Sequence, residues 1–450
     1  MIGVQYRQVV LETGFAGHDR EEAFLVTAAT ATRTTMSIQS TGSRFAALKS
    51  RGYRIYLTGQ SLANTGTWMQ AIAQDWLVLH LTHSAFAVGL VMTLQFLPMM
   101  AFGVFGGQLA DRYSRRRILL FTQTANAAVT GLLAALTVGG VVRPVHLYAF
   151  ALLSGLILAV DAPTRQAFLT DVVPAGLLRG AVSLNAAVFQ TTRLVGPALA
   201  GLLMSSAGTG WVFAVNALCY AGPTVGLLRL GAGDLNPARP AVAEPFALRV
   251  AVRYIADRPY LLRTIVLVGI VGTFGLNFPI VLTAMASETF GGGAGTYALF
   301  NVTLAVGSVA GALLAATRGH TRLRLIVVAA AAFGVSQVAA AVAPGIILFL
   351  GLLLVMGLAN LAFQAMANAS VQLWSDPQLR GRIMGMYMLV FIGGTPIGAP
   401  IIGAITSHFG PRVGMGVCGA TPAVAAAALA MTYAAARRRR RLHPAAASAI

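Results

Sequence analysis

Three stretches of this chain set charged residues beside small and helix-bending ones at spacings that can handle ions and close helix contacts. The first is Gly107-Gln-Leu-Ala-Asp111-Arg112-Tyr-Ser-Arg115-Arg116-Arg117. Gly107 lets a neighbouring helix approach closely, and Asp111 can cap a helix end or pair with an arginine. A plain basic cluster would account for Arg112, Arg115 and Arg116 but not for the glycine-to-aspartate spacing. The second is Asp161 with Arg165, four residues apart and so on one helix face, a spacing suited to a local pair. The third is Arg193-Leu-Val-Gly196-Pro197-Ala-Leu-Ala-Gly201, whose glycines permit tight packing while Pro197 frees a carbonyl and bends the helix.

Polar side chains also fall in stripes. Ser61, Asn64, Thr65, Trp68 and Asp75 lie near one face of a 3.6-residue helix, with Gln70 and Gln74 opposite. Asn360, Gln364 and Asn368, spaced by four, form a comparable stripe, and Phe274 with Asn277 adds a third group. Such stripes can line an aqueous cavity. The alternative is that the amides join helix to helix through hydrogen bonds worth on the order of 1 kcal/mol. Asp75, the acid deepest within a helical run, is the candidate proton carrier; the competing expectation puts it at a membrane rim, merely hydrated. Arg193 lies about 18 Å into its run at 1.5 Å per residue, where an ionisable group costs at least about 2.5 kcal/mol unless paired or wetted, so it is expected to face the interior.

Enzyme chemistry finds no foothold. The only lysine, Lys49, follows Leu48, so no Walker A phosphate loop exists. The seven histidines are scattered without metal-ligand spacing, and no G-x-S-x-G elbow occurs. Cys219 and Cys418 lie inside apolar runs, where they pack as small hydrophobes. No enzyme, cofactor or metal is expected.

What must position these residues is a membrane. Of 450 residues, 57% are hydrophobic and 10% charged, against roughly 25% charged in a soluble domain. Apolar runs and breakers predict an all-α polytopic protein with helices near 54–81, 86–110, 118–140, 146–168, 181–206 and 211–230. Six more follow near 262–287, 296–316, 324–343, 346–370, 382–406 and 413–436. The predicted organisation is a tail over 1–53, a six-helix bundle over 54–230, a linker over 231–261, a second bundle over 262–436 and a basic tail over 437–450. Met36 opens a shorter basic leader, so the first 35 residues are expected to be an upstream extension. The net charge of +19 could serve nucleic acid, but the arginines sit in short groups between apolar runs. Loops at 111–117, 165–180, 318–324 and 376–382 carry four, two, three and two arginines, whereas the alternate loops hold only Arg143 and Arg412. The positive-inside rule then puts both termini and the linker in the cytoplasm.

The halves match at an offset of about 200 residues. Gly103 and Gly107 correspond to Gly307 and Gly311, and Leu178-Arg179-Gly180 to Leu379-Arg380-Gly381; Gly196-Pro197 with Gly201 corresponds to Gly398 with Pro400 and Gly403. The loop motif resembles the signature of the major facilitator superfamily, and Ala315 and Ala316 replace its Asp-Arg pair in the second half. Trp68-Met69-Gln70, Asp75-Trp76-Leu77-Val78, Pro163-Thr-Arg165-Gln166-Ala167 and Phe274-Gly275-Leu-Asn277-Phe278 are similar to the branch of the enterobactin exporter and macrolide efflux proteins. The resemblance covers about 54 to 436. It implies two pseudo-symmetric six-helix bundles and alternating access. It also implies a latch of Gly107, Asp111, Arg112, Arg115 and Arg116, with Asp161 in reach of Arg112, that holds the halves together in the outward-facing state. The first, fourth, seventh and tenth helices would line the cavity, and the glycine-proline motif of the fifth resembles that of antiporters. Three function classes follow: proton-coupled export of an amphipathic drug, siderophore or secondary metabolite from a bacterial cytoplasm; proton-coupled import; or a non-transporting receptor or scaffold. The partners expected are a small molecule, the proton gradient and the inner-membrane bilayer, with no nucleic acid, for a functional monomer.

Overall fold

The computed structural model describes residues 46–235, 248–316, 323–376 and 379–442, and the regular elements among them are all helical. The first half comprises α1 (Arg51–Thr82), α2 (Ala85–Arg112), α3 (Arg115–Val138), α4 (Pro144–Val172), α5 (Leu178–Ala207) and the pair α6 (Thr209–Cys219) and α7 (Ala221–Arg229). A short helix α8 (Leu248–Ala256) follows, then α9 (Pro259–Ile270), α10 (Phe278–Ala284), α11 (Ala294–Ala316), α12 (Leu323–Ala341) and α13 (Ile346–Trp374). The chain ends in α14 (Arg380–Gly393), α15 (Thr395–Phe409) and α16 (Pro411–Leu442).

Eleven stretches among the described residues are long and apolar enough to cross a membrane. α1 is not one of them. It has 32 residues, but Gln60, Ser61, Asn64, Thr65, Gln70, Gln74 and Asp75 dilute its apolar character.

Breaks and turns follow local chemistry. Pro279 has no amide hydrogen, so the preceding turn cannot close, and α9 passes through a π-helical turn, Val271–Gly275, before α10 begins. The loosened carbonyls find side-chain donors: the Asn277 amide donates to Thr273 O at 2.9 Å and Phe274 O at 3.0 Å, and Gln337 Nε2 donates to Gly275 O at 3.0 Å. Gly208 after α5 (φ 91, ψ 169) and Gly410 after α15 (φ 89, ψ 164) share a conformation that side chains with a Cβ rarely adopt. Leu177 before α5 (φ −106, ψ −4) and Leu379 before α14 (φ −103, ψ −6) likewise match.

Within the halves, α2 packs on α4 and α11 on α13. Gly307 and Gly311 lie directly against the Leu354 and Leu358 backbones of α13. In the first half this role falls to Gly106, against Ala159 and Val160, and not to the expected Gly103 and Gly107, neither of which meets a neighbouring helix within 4 Å. The linker differs from a plain connector, because α8 docks on the second half with Ala251 and Ile255 buried and the Tyr254 hydroxyl accepting the Asp376 N–H at 2.9 Å. Residues 1–45, 236–247 and 443–450 lie outside the described set, so the expected extension, the middle of the linker and the end of the tail receive no structural account.

The halves meet at the end away from the arginine-rich loops. Ser407 Oγ of α15 accepts the Phe86 N–H of α2 at 2.9 Å, and Thr93 Oγ1 donates to Pro396 O at 3.4 Å. A methyl on Gly89 would come within 2.5 Å of Ala399 O, and one on Gly201 within 2.5 Å of Ala298 Cβ of α11.

Candidate functional site

α1 is the organising helix, held between α5 on one side and α6 and α7 on the other. Near its far end Asp75 is 7% exposed and accepts a hydrogen bond from the hydroxyl of Tyr297, wholly buried on α11, at 2.9 Å. The bond joins the two halves where they close, and Asp75 is buried there. Trp76 stacks on the same tyrosine, ring centroids 6.4 Å apart. Above the pair lies a cleft of about 190 Å³ lined by Trp76, Leu79, His80, His83, Ser287 and Glu288.

About 10 Å down α1 from Asp75, seven residues at 1.5 Å each, sits Trp68. The Arg193 guanidinium of α5 lies over its ring, 5.5 Å from the centroid, and the Phe189 ring meets it edge-on at 5.7 Å. Gly196 makes the crossing possible, since a methyl there would come within 2.5 Å of Trp68 Cβ. Pro197 sits inside α5 one residue on. Arg193 falls at the middle of its helix, has no carboxylate partner among the described residues, and bears a cost of at least about 2.5 kcal/mol unless wetted or met by an anion.

The predicted stripe on α1 divides. Ser61, Thr65 and Trp68 are half-exposed. Asn64 turns the other way: it is buried and accepts from Gln60 Nε2 at 2.9 Å, so in this conformation it braces α1 internally. Gln70, opposite as expected, accepts from Thr130 Oγ1 of α3 at 3.2 Å and Asn216 Nδ2 of α6 at 2.5 Å, which is helix-to-helix joining. In the second half Phe274 is half-buried, whereas Asn277 is 1% exposed and holds the helix break. Asn360 is buried and accepts from the half-exposed Gln364 at 2.8 Å, and its own amide nitrogen has no partner. Asn368, half-exposed, accepts from Gln372 at 2.7 Å.

The arginine-rich loop closes within its own half. Arg115 pairs with Asp171 at 2.7 Å and lies 3.8 Å from Asp111, and Arg116 donates to Leu227 O at 2.8 Å and Leu228 O at 3.2 Å at the end of α7. Asp161 pairs with Arg165 and accepts from Thr122 at 2.7 Å and Gln123 at 3.0 Å. Arg112 lies against Tyr113, so Asp161 takes the local partner and not Arg112. Gly107 faces open space. Among the described residues, the contacts of Arg115, Arg116 and Asp161 thus stay within the first half in this conformation.

Tyr297, Asp171 and Phe189 were not found from sequence. Tyr297 has only an apolar neighbourhood to announce it, and Asp171 sits in a basic loop where counting arginines gives acids no weight. Phe189 had a signal, since it stands four residues before Arg193 on one face.

The helical fold, the broken helices at its centre and the basic loop motif define a secondary transporter of the major facilitator superfamily, a class of carriers and not of enzymes. A model of the transmembrane secretion effector family matches residues 42–447, and the chain belongs to that family. It is 26% identical over 362 residues to the multidrug efflux pump Tap of Mycolicibacterium fortuitum, covering 77% of this chain and 87% of that one. Similarity to the enterobactin exporter EntS of Salmonella typhi is 26% over 353 residues, 75% of this chain and 82% of that one. The match to the staphyloferrin A transporter of Staphylococcus aureus (strain NCTC 8325 / PS 47), 30% over 168 residues, spans 37% of this chain and only 42% of that protein's length. Among solved structures, a bacterial homologue of the human lysosomal transporter Spinster, inward-facing and unoccupied, shares the fold with a TM-score of 0.66 at 14% identity, over 84% of this chain and 96% of that one.

Proposed function

We propose that this protein is a proton-coupled exporter of amphipathic small molecules that works by alternating access. Its two bundles, 54–230 and 262–436, would be pseudo-symmetric sets of six helices, with α1 counted as the twelfth membrane-crossing stretch beside the eleven apolar ones. The repeated turn geometries at Leu177 and Leu379, and at Gly208 and Gly410, support that symmetry. With the arginine-rich loops in the cytoplasm, the contacts between α2 and α15 and between α5 and α11 fall at the outer end, and the conformation is inward-facing.

The observation that carries the proposal is the Asp75–Tyr297 bond across the closed outer end. A hydrogen bond to a charged carboxylate is roughly twice as strong as one to its neutral acid. Ionised Asp75 therefore holds an empty, inward-facing carrier shut; cargo binding opens the outer end, where Asp75 takes up a proton from outside, and release of that proton to the cytoplasm after the return step restores the bond. The cleft lined by His80, His83 and Glu288 supplies polar groups between the pair and the outer surface. In the alternate state the loop motif, Gly107, Asp111, Arg112, Arg115 and Arg116, would close against the second half. Ser61, Thr65, Trp68, Phe274 and Gln364 expose aromatic faces and hydrogen-bonding groups to the cargo. The named functions of Tap and EntS support the outward direction and a drug or siderophore as cargo.

Expression in a drug-sensitive bacterial host tests direction. Raised tolerance and lowered retention of lipophilic compounds support export. Increased uptake of a nutrient, abolished by uncouplers, would replace it with import.

A further inference from the structure

We propose that Arg193 and Trp68 form the anion-recognising subsite of the cargo chamber, so that the transported molecule is an amphipathic organic anion carrying its charge beside an aromatic or otherwise flat apolar body. The proposal rests on the transport reading above and narrows its substrate class.

Position comes first. Eight residues beyond Arg193 along α5, about 12 Å, Gly201 seats Ala298 of the second half; seven residues beyond Trp68 along α1, Asp75 bonds Tyr297. Arg193 and Trp68 therefore lie about two helical turns from these contacts between the halves, toward the arginine-rich loops. Trp68 is half-exposed and Phe189 exposed, so the patch is open and not sealed in a core.

Chemistry follows. A guanidinium carries five N–H donors and is charged at any working pH. Arg115 pairs with Asp111 and Asp171, and Arg165 with Asp161; Arg193 has no carboxylate partner among the described residues. Its described contact is the Trp68 ring, which meets the charge with π-density and accepts no conventional hydrogen bond. The donors thus remain for a ligand. Contrast Arg165, half-buried seven residues from the end of α4, which is held by Asp161 and so is structural. Asn185, eight residues before Arg193 on the same stripe of α5, keeps a buried amide oxygen without a partner, which suits a hydroxyl or N–H on the cargo. Trp68 and Phe189, edge-to-face, give the apolar part its platform. Asp75 is the acid that could compete for Arg193 in another conformation, and in this one it is engaged by Tyr297.

Equilibrium dialysis of the purified full chain tests this with naphthalene-2-sulfonate, permanently anionic, against naphthalene-2-sulfonamide, its neutral counterpart. The subsite predicts at least tenfold tighter binding of the sulfonate. Arg193→Gln should remove the preference while leaving sulfonamide binding within threefold, and Arg193→Lys should keep part of it. Should Arg193→Gln fail to fold, Trp68→Ala serves instead and should weaken both probes while preserving the preference. Equal binding of the two probes, no saturable sulfonate binding, or an unchanged preference in Arg193→Gln would overturn the subsite. Because binding needs neither a gradient nor a direction, the subsite can stand if export fails, and export can stand if the subsite fails.

Discussion

Substituting Gly201 by alanine should open the closed end of the protein. A methyl at this position would sit 2.5 Å from Ala298 Cβ, against an optimal carbon separation of about 3.5–4.0 Å. α5 and α11 must then part by about 1 Å or distort, and overpacking of this kind costs about 1–3 kcal/mol. The penalty applies only where the two helices touch, so it acts on the balance between closed and open outer ends. At about 1.4 kcal/mol per factor of ten, that balance moves by roughly fivefold to a little over a hundredfold. Spin labels at the exposed turn positions Val141 and Val342, one in each half at the closed end, would report the change by pulsed dipolar spectroscopy. A longer-distance population should grow in Gly201→Ala, and adding Ala298→Gly should return the distribution to that of the labelled parent. An unchanged distribution, or a shift that the second substitution leaves in place, would refute the steric argument.

Other outcomes follow from the same geometry. Gly107→Leu meets open space here and should leave protein in the membrane while trapping the described conformation, so transport is lost without loss of expression; Asp111→Ala should impair transport at normal expression, and near-normal transport by both would return the motif to a topology signal. Asp161→Ala removes the partner of Arg165 and the acceptor of Thr122 and Gln123, so it should destabilise the first half by about 3–5 kcal/mol, read as a lower midpoint of thermal unfolding in detergent. Reporter fusions within Gly231 to Tyr260 should give a cytoplasmic signal; an external one would invert the topology.

Much of the architecture was legible because a membrane demands long apolar runs and leaves charge at its edges. Most helix ends expected from Gly, Pro and Arg breakers lie within a few residues of those found, as at α2 (86–110 expected, Ala85–Arg112 found), but the single helices expected near 211–230, 262–287 and 382–406 are each broken. What depends on the register between helices was not legible. Asn64 and Ser61 sit three residues apart on α1, a difference of about 60° that a helical wheel does not resolve near the edge of a stripe, yet one turns to Gln60 and the other to the open face. Tyr297 pairs with Asp75 across 222 positions, a meeting fixed by how α1 and α11 dock and not by any local pattern. α8 escaped because nine residues form too short a run to stand out beside the prolines of the linker. The π-helical turn before α10 depends on the side-chain donors that loosened carbonyls find, which a propensity cannot express.

The central claim, proton-coupled export through Asp75, is tested most directly in everted membrane vesicles from cells expressing the protein. The probes would be radiolabelled naphthalene-2-sulfonate, naphthalene-2-sulfonamide and ethidium, followed with and without an acid-inside pH gradient. Gradient-dependent accumulation of at least one probe, collapsed by an uncoupler and absent in Asp75→Asn although that variant still binds it, is the predicted result. Accumulation ratios in Asp75→Asn equal to those of the parent, or no gradient-dependent movement of any probe, would contradict the account.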